Sequence, residues 1–429
     1  MRNSIKLTSI EYGDEGHKII YQYTYDKAIA KYFNPKDPFF VSYEEDVSQI
    51  PKSIAVIPLL ANLAPIAWFA GFDIEVDELD TDFYNSLLDI KIEFIKNFTV
   101  LENIKAEIKV DKLIKNKFHG NKSAMLFSGG VDAYATYFRH QTEELDLITI
   151  HGADIELQDT NQWETLVNLN ETEAILRINK KHYIKSNLKT FYSSEVDLLL
   201  KELGWWGSVQ HGLALNCLIA PISIKNKYSK AFIASSYTNN IKIAWGSTPE
   251  IDNLIRWADV TITHDGYELK RQEKVNLIVN SVMNSSENLK LRVCYSELNK
   301  EINCSKCEKC FRTIFGIILS NDNPNSYGFA VDENVYDKVM KVFIKGFKTR
   351  GSAYFWWEIS EAISKSRPFF IFSNKEKELE KMKTLNNLLI LKIQTGVKET
   401  SSLKRLKHKI INRFPKTFKI YLKFRQRGL

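Results

Sequence analysis

Four cysteines in the second half of the chain are the first candidates for chemistry. Cys294, Cys304, Cys307 and Cys310 have the spacing C-x9-C-x2-C-x2-C. Four thiolates from one loop suit tetrahedral Zn²⁺, and a site with four protein ligands leaves no position for a substrate, so this zinc would be structural. An iron–sulfur cluster is the alternative, although no fourth cysteine follows with the C-x3-C-P spacing of ferredoxins. The fifth cysteine, Cys217, lies in an apolar helical pattern and is interpreted as a core residue.

A second candidate is the stretch "MLFSGGVDAYATYF", residues 125–138, where two glycines follow an apolar run. Ser128, Gly129 and Gly130 are predicted to end a strand and open a helix, which is where parallel sheets bind ligands. The glycines allow successive N–H groups to converge on one anion, and the helix N-terminus adds to the attraction. Asp132 would repel a phosphate, so its presence predicts Mg²⁺ between them. An ordinary strand–turn–helix corner is the alternative, and it leaves the acid unexplained.

Polar residues after a later predicted strand form a further group. Ser235, Ser236, Gly246 and Ser247 in "ASSYTNNIKIAWGSTPEID" could line a nucleotide or acceptor pocket. Ordinary loop chemistry would explain these residue types as well. His211, which opens a predicted helix with Gly212, is similarly placed to meet a ligand.

The segment "THDGYELKRQEK" places acid–base and cationic side chains beside a predicted turn. These are His264, Asp265, Arg271 and Lys274. Each could be a surface residue on its own, whereas together they are candidates for a site that binds phosphate charge.

The elements that position these residues follow from hydrophobic periodicity. Residues 119–330 alternate short apolar runs with helical patterns, which predicts an α/β domain with a parallel sheet. Residues 1–118 show both strand alternation and a helical pattern, so a mixed α+β N-terminal domain is expected. Residues 331–400 are predicted to be helical, and residues 401–429 form a basic amphipathic tail.

Charge and composition narrow the class of protein. The net charge is +7, but residues 404–427 contain ten lysines and arginines and no acid. The rest of the chain therefore has a net charge of −3. A mildly acidic body argues against a nucleic-acid groove in the folded domains. The uncharged stretch 53–72 contains Pro58 and Pro65, which disfavour a membrane span, so a buried core segment is predicted. Cysteine usage indicates a reducing compartment, and no secretory signal is visible, so a cytoplasmic location is expected.

The motif "FSGGVD" resembles the S-G-G-x-D-S signature of the PP-loop ATP pyrophosphatases, a superfamily with an adenine nucleotide alpha hydrolase-like fold. The resemblance implies that Ser128 to Asp132, Val131 included, bind ATP with Mg²⁺, and that ATP is cleaved to AMP and pyrophosphate. Ala133 stands where the superfamily has its last serine, which places catalytic competence in question. Asp132 is then a catalytic candidate, as is Lys274, which is placed similarly to a lysine that steadies phosphate charge in related enzymes.

The four-cysteine loop following this motif resembles the cyano-deazaguanine synthase family of queuosine biosynthesis. The resemblance covers roughly residues 50–330. It implies an ATP-dependent synthase or ligase that adenylates a carboxylate or amide-like acceptor, which a nitrogen nucleophile then displaces from AMP. The acceptor would be a small molecule or a peptide. The alternatives are sulfur transfer to a nucleotide or tRNA, and a non-catalytic nucleotide-binding module.

The tail, residues 401–429, interleaves basic side chains with apolar ones. A basic amphipathic segment is typical of peripheral membrane contact. Nucleic-acid binding and a solvated terminal helix are the alternatives. The membrane surface is therefore an expected partner of the tail.

Overall fold

The protein is described here by a computed structural model covering residues 2–200, 204–285, 287–294, 301–344, 346–347, 349–365 and 370–396. Eleven strands in these ranges form one mixed sheet. They are β1 Ser4–Gly13, β2 Lys18–Tyr25, β3 Phe40–Ser42, β4 Asp73–Asp80, β5 Ile108–Ile114, β6 Lys122–Leu126, β7 Leu145–His151, β8 Lys181–Ser186, β9 Tyr228–Ala234, β10 Arg256–Trp257 and β11 Val260–Asp265.

The described ranges also contain thirteen α-helices. They are α1 Lys52–Ala55, α2 Ile57–Ala70, α3 Thr81–Asn97, α4 Val131–His140, α5 Thr160–Thr172, α6 His211–Cys217, α7 Ala220–Asn226, α8 Pro249–Asp252, α9 Arg271–Ser285, α10 Glu308–Leu319, α11 Val335–Phe343, α12 Arg350–Lys365 and α13 Lys375–Gln394. A π-helical segment, Trp206–Gln210, runs directly into α6. Short 3₁₀ helices occupy Asp14–Gly16, Ala30–Tyr32, Thr99–Asn103, Ala174–Leu176, Asp197–Leu199 and Pro324–Tyr327.

The sheet order decides where a ligand can enter. The strands run β10-β11-β9-β6-β7-β8-β3-β2-β1-β4-β5, and β11, β9, β6, β7 and β8 are mutually parallel. The chain moves outward from β6 through β7 to β8, then returns to place β9 on the other side of β6. In open parallel sheets, the crevice at the carboxyl ends of the strands at such a reversal is the usual ligand site. The α/β class with a largely parallel sheet is confirmed.

The central strands are buried on both faces. In β6, Ala124 contributes to one hydrophobic cluster and Met125 to another, and Ala231 and Phe232 of β9 divide in the same way. Neighbouring residues of a strand point to opposite faces, so the two clusters are the two layers that cover the sheet. Helices α2, α6 and α7 lie in the first cluster, whereas α4, α9 and α10 lie in the second.

Strands from the N-terminal third of the chain extend the same sheet. Strand β3 pairs antiparallel with β8, so the strands of residues 1–118 and of residues 119–330 are continuous. The uncharged stretch forms α1 and α2, and every residue from Ile57 to Phe69 is buried, which confirms the predicted core segment. Pro65 lies inside α2 without ending it. None of the helices in the described part of the chain is long and apolar enough to cross a bilayer.

The C-terminal helices pack on the second hydrophobic cluster. Tyr336 of α11, Trp356 of α12 and Leu385 of α13 are fully buried there. The helical character predicted for residues 331–400 is therefore present in α11 to α13. The basic tail, residues 401–429, lies outside the described residues, so its expected contact with a membrane remains a prediction.

Candidate functional site

The glycine turn joins β6 to α4 at the reversal of the sheet. Gly129 has a φ of +71°, in the left-handed region that favours glycine. Gly130 immediately precedes α4, and its carbonyl accepts the first helical hydrogen bond, from Tyr134, at 3.0 Å. The carbonyl of Gly129 accepts from the N–H of Arg292 at 2.7 Å. This last contact ties the turn to the segment that leads into the cysteine loop.

Asp132, in the first turn of α4, is held between two cations. Arg271 donates to one carboxylate oxygen at 2.6 Å, and the Lys274 ammonium lies 3.2 Å from the other. Burial would raise the pKa of Asp132, but the charges of Arg271 and Lys274 outweigh it and hold that pKa below its usual range. The two predicted catalytic residues, Asp132 and Lys274, are thus in direct contact, and protein cations lie around Asp132 where the sequence suggested Mg²⁺.

Lys274 is almost completely buried, with 3% of its side chain exposed. Its ammonium also donates to the carbonyl of Ser235, while the Ser235 hydroxyl donates to the carbonyl of Tyr237 at 2.6 Å. Burial lowers the pKa of Lys274 below its ordinary value, although Asp132 acts in the opposite direction. Ser235 therefore positions the lysine through its backbone, and the neighbouring Ser236 reaches the open space.

Two adjoining cavities open at the carboxyl ends of β6, β7 and β9. The smaller has a volume of about 140 Å³ and extends below the turn between the strands. Its apolar walls include Phe127, Ile148, Ile150, Leu166, Leu215 and Ile233. Ala133 lines it as well, at the position where the PP-loop signature has a serine. Small-molecule pockets are typically lined by apolar side chains with a few polar groups, and this recess beside the glycine turn has that character.

The larger cavity, of about 380 Å³, is charged and aromatic. Its cations are Arg271, Arg292, Lys309 and Arg312, and its acids are Asp132, Asp154 and Glu308. The aromatic walls are Trp206, Tyr237, Trp245 and Phe355. Six residues line both cavities: Ser128, Asp132, Asp154, His211, Ser236 and Arg292. The two cavities are therefore two parts of one site that meets at the glycine turn.

The C-terminal helices supply one wall of the larger cavity. Phe355 of α12 stacks on Tyr237 with ring centroids 5.6 Å apart, and the Arg312 guanidinium lies 4.3 Å from the Phe355 ring centre. Glu308 accepts from the indole N–H of Trp356 at 2.8 Å. These contacts place α12 against α10, so the region predicted only as helical contributes directly to the site.

Gly246 and Ser247 lie beside the cavities and do not line them. The Gly246 carbonyl accepts from the N–H of Gly212, and its own N–H donates to the carbonyl of Gly207. A Cβ on Gly246 would come within 2.6 Å of the Val209 backbone, so glycine is required for this close approach. Ser247 donates to the buried carboxylate of Asp252 at 2.6 Å. Both residues support the neighbouring wall.

His264 belongs to the same buried polar group as Ser247. Its ring Nδ1 lies 2.7 Å from the Asp252 carboxylate, and its side chain is 1% exposed. Asp265, the next residue of that segment, accepts from Thr136 and is paired with His140 and Arg139. Neither residue lines a cavity. Of the other two candidates in this segment, Arg271 lines the larger cavity, whereas Lys274 lines neither and contacts Asp132, which lines both.

The four cysteines form a compact cluster, and their chain neighbours Val293 and Glu308 line the larger cavity. Their sulfur atoms all lie within 4.8 Å of one another, with separations of 3.9 Å for Cys294–Cys307, 3.8 Å for Cys304–Cys310 and 3.5 Å for Cys307–Cys310. A tetrahedron with Zn–S bonds of about 2.3 Å has edges of about 3.8 Å. The residues therefore fit a four-coordinate metal such as zinc. Ser305 adopts a φ of +53° in the tight turn between the ligands.

The cysteine cluster also positions walls of the larger cavity. Cys307 immediately precedes α10, whose first residues carry Glu308, Lys309 and Arg312 into that cavity. Arg292 lies two residues before Cys294 and is 6% exposed. Because both segments are joined at the cluster, a bound metal would fix the relative positions of the cations on them.

Several lining residues were not identified from sequence. Asp154 follows β7 as Ser128 follows β6, so its position after a parallel strand was an available signal. Arg312 lies two residues beyond the last cysteine, and helical spacing from Glu308 would have placed both on one face. Phe355 and Trp245 carry no local signal, because only long-range packing brings them to the cavity.

Comparisons of the chain with protein-family models, with curated proteins and with solved structures found no match. The resemblance to PP-loop pyrophosphatases therefore remains an expectation, and function has to be argued from the geometry of the site.

Proposed function

We propose that this protein is an ATP-dependent, AMP-forming synthase or ligase of the PP-loop type. The observation that carries the proposal is the placement of the Ser128–Gly130 turn between an apolar recess and a cationic cavity. The turn and the N-terminus of α4 suit the phosphates. The recess suits the base, and the larger cavity suits an acceptor facing the α-phosphate.

The chemistry proposed is adenylation followed by displacement. An acceptor oxygen attacks the α-phosphorus of ATP, pyrophosphate leaves, and a nitrogen nucleophile then replaces AMP at the acceptor carbon. Arg271, Lys274 and Arg292 supply positive charge where phosphate charge accumulates, which stabilises the transition state without reorganisation. Mg²⁺ would add a further counter-charge, and Asp132 and Asp154 offer carboxylate oxygens of the kind it prefers.

Ala133 favours a second candidate, a nucleotide-binding module without catalysis. It lines the smaller cavity, and a methyl group there cannot donate the hydrogen bond that a serine would. Sulfur transfer has less support. Cys217 is fully buried outside both cavities, and burial raises the pKa of its thiol well above the ordinary value, which disfavours the reactive thiolate.

Product identity tests the proposal. Purified protein is incubated with Mg²⁺, ATP labelled at the α-phosphate and a deproteinised metabolite extract as the acceptor source. Label should appear in AMP and in an adenylated intermediate, and pyrophosphate should form in equal amount. Labelled ADP would exclude cleavage between the α- and β-phosphates. ATP binding without turnover would favour the non-catalytic module.

A further inference from the structure

His211 occupies the point where the two cavities meet, and no part of the proposed mechanism yet uses it. It lines both cavities, together with Asp154 and the glycine turn. In the proposed reaction, the bond between the acceptor and AMP would form beside the glycine turn, where the two cavities meet, and the nucleophile would approach from the larger cavity. A side chain at this junction would therefore touch the reacting atoms.

The ring of His211 packs against two tryptophan side chains. The centroids of Trp206 and Trp245 lie 5.3 Å and 5.0 Å from the imidazole centroid. Nδ1 is shielded from solvent and has no hydrogen-bond partner among the described residues. Buried polar atoms in folded proteins are nearly always paired, so this nitrogen lacks the partner that a purely structural histidine would have.

The backbone around His211 is unusually constrained. The preceding residues, Trp206–Gln210, form a π-helical segment, a rare conformation found frequently at functional sites. The Gln210 side chain is fully buried, donating to Asn62 and accepting from Trp205. On both sides of His211, the Gly246 backbone bonds to Gly207 and Gly212. These hydrogen bonds hold the backbone on both sides of His211 and so limit the positions that its imidazole can take.

Burial of His211 favours its neutral form. Burial lowers the pKa of His211 below the ordinary value, although Asp154 and Asp252 oppose this change. Lys189 and His264 act in the same direction as burial. A neutral imidazole at neutral pH can accept a proton.

We infer that His211 is the general base of the displacement step, which rests on the proposed function. The nitrogen nucleophile attacks the adenylated carbon, and its lone pair forms the new C–N bond. His211 takes a proton from that nitrogen as the C–O bond to AMP breaks, and AMP leaves with the bonding electron pair. The imidazolium then releases the proton to solvent. The alternative base is Asp154, which lines the same junction but is exposed.

The test separates adenylation from displacement in wild-type protein and in His211→Gln. Exchange of labelled pyrophosphate into ATP, with the metabolite extract as acceptor and no added nucleophile, measures adenylation alone. Ammonium chloride and hydroxylamine are then supplied in parallel, and the amide and hydroxamate products are measured. Hydroxylamine is the weaker base and the better nucleophile, so its reaction depends less on proton removal.

The expected result is a selective loss. His211→Gln should retain pyrophosphate exchange, lose amide formation by roughly 10²- to 10⁴-fold and lose hydroxamate formation much less. The matched control is His151→Gln, because His151 lines neither cavity and already bonds to the Glu156 carbonyl at 3.1 Å. It should leave all three rates unchanged. Equal loss of both products would assign His211 to substrate positioning and overturn the inference. Retained amide formation in His211→Gln would overturn it as well.

Two further readouts protect the conclusion against a folding defect. His211→Asn should show the same selectivity, and exchange itself reports a folded site in either variant. In wild-type protein assayed at a constant concentration of free ammonia, amide formation should fall as pH decreases through the pKa of His211, whereas pyrophosphate exchange should not fall over the same pH range. A parallel decrease of pyrophosphate exchange and amide formation with pH would contradict the inference. Wild-type protein that forms neither AMP nor exchanged ATP would instead refute the proposed function, and the inference with it.

Discussion

Replacing Asp132 by asparagine removes one negative charge while keeping the shape of the side chain. In the wild-type structure, this carboxylate faces Arg271 at 2.6 Å and Lys274 at 3.2 Å. The side chains of Arg271 and Lys274 are only 11% and 3% exposed. Asp132→Asn would therefore leave two nearly buried cations close together without the carboxylate that both of them contact.

The expected loss in the free energy of unfolding follows from these distances. At an effective dielectric constant of about 20, the attraction is roughly 5 kcal/mol across 3.2 Å and roughly 6 kcal/mol across 2.6 Å. Desolvation of the charges offsets much of this, and removing one partner of a buried pair costs about 3–5 kcal/mol. We expect Asp132→Asn to lower the free energy of unfolding by that amount.

A double-mutant cycle identifies the cause of the loss. Lys274→Met removes one cation and so relieves the excess charge that Asp132→Asn creates. The double variant should be more stable than Asp132→Asn alone by roughly 1–3 kcal/mol. The matched control is Asp332→Asn, because Asp332 pairs with Lys338 at 2.7 Å with both side chains about half exposed. That change should cost less than about 1 kcal/mol.

Urea unfolding followed by circular dichroism measures these differences in the free energy of unfolding. Their dependence on pH follows from the pKa of Asp132. Because Arg271 and Lys274 hold the pKa of Asp132 below its usual range, its stabilising contribution is complete above the unfolded-state pKa of about 4. The contribution disappears as pH falls through the lower folded-state pKa. The gap between wild type and Asp132→Asn should therefore narrow in acid. A gap below about 1 kcal/mol at pH 7, or a double variant no more stable than Asp132→Asn, would refute this account.

Three further predictions concern the metal cluster, the turn and the cavity wall. Cys307→Ser should reduce metal content from about one zinc per chain and lower the melting temperature, as a chelator should for the wild type; a brown, iron-containing protein would contradict this. Gly129→Ala must place a side chain at a φ of +71°, which costs roughly 1–2 kcal/mol of strain. Binding of Mg²⁺-ATP, measured by calorimetry, should be abolished while thermal unfolding remains cooperative. Unchanged binding would make the turn a simple corner. Phe355→Ala removes the ring that contacts the Arg312 guanidinium, a cation–π interaction of about 0.5–2 kcal/mol. The KM for the acceptor should therefore rise while the KM for ATP stays constant. An equal rise in both KM values would contradict the assignment of this wall to acceptor binding.

Local signals in the sequence were sufficient for some parts of the site. The Ser128–Gly130 turn could be located because apolar residues before it and helix-forming residues after it are contiguous in the chain. The cysteine cluster could be assigned for the same reason, since three ligands lie within seven residues. Helix α3, Thr81–Asn97, supplies the helical pattern expected within residues 1–118, because its apolar spacing and its Asp80 cap are local.

The tertiary structure decided which of the remaining candidates contact one another. Ser247 and His264 were reasonable candidates by residue type, but both bond to buried Asp252, away from the cavities. Arg271 and Lys274 instead face Asp132, because α9 packs against α4 after the chain has crossed the sheet.

The sequence by itself therefore determined the position of the glycine turn, the four-cysteine cluster and the α/β class, all of which depend on short-range spacing. Only the tertiary structure placed β9 beside β6, joined the N-terminal strands to the same sheet and brought Phe355 of α12 over the cavity. The physical reason is that strand order and helix docking depend on packing between distant surfaces, whereas periodicity reports only which face of each element is buried.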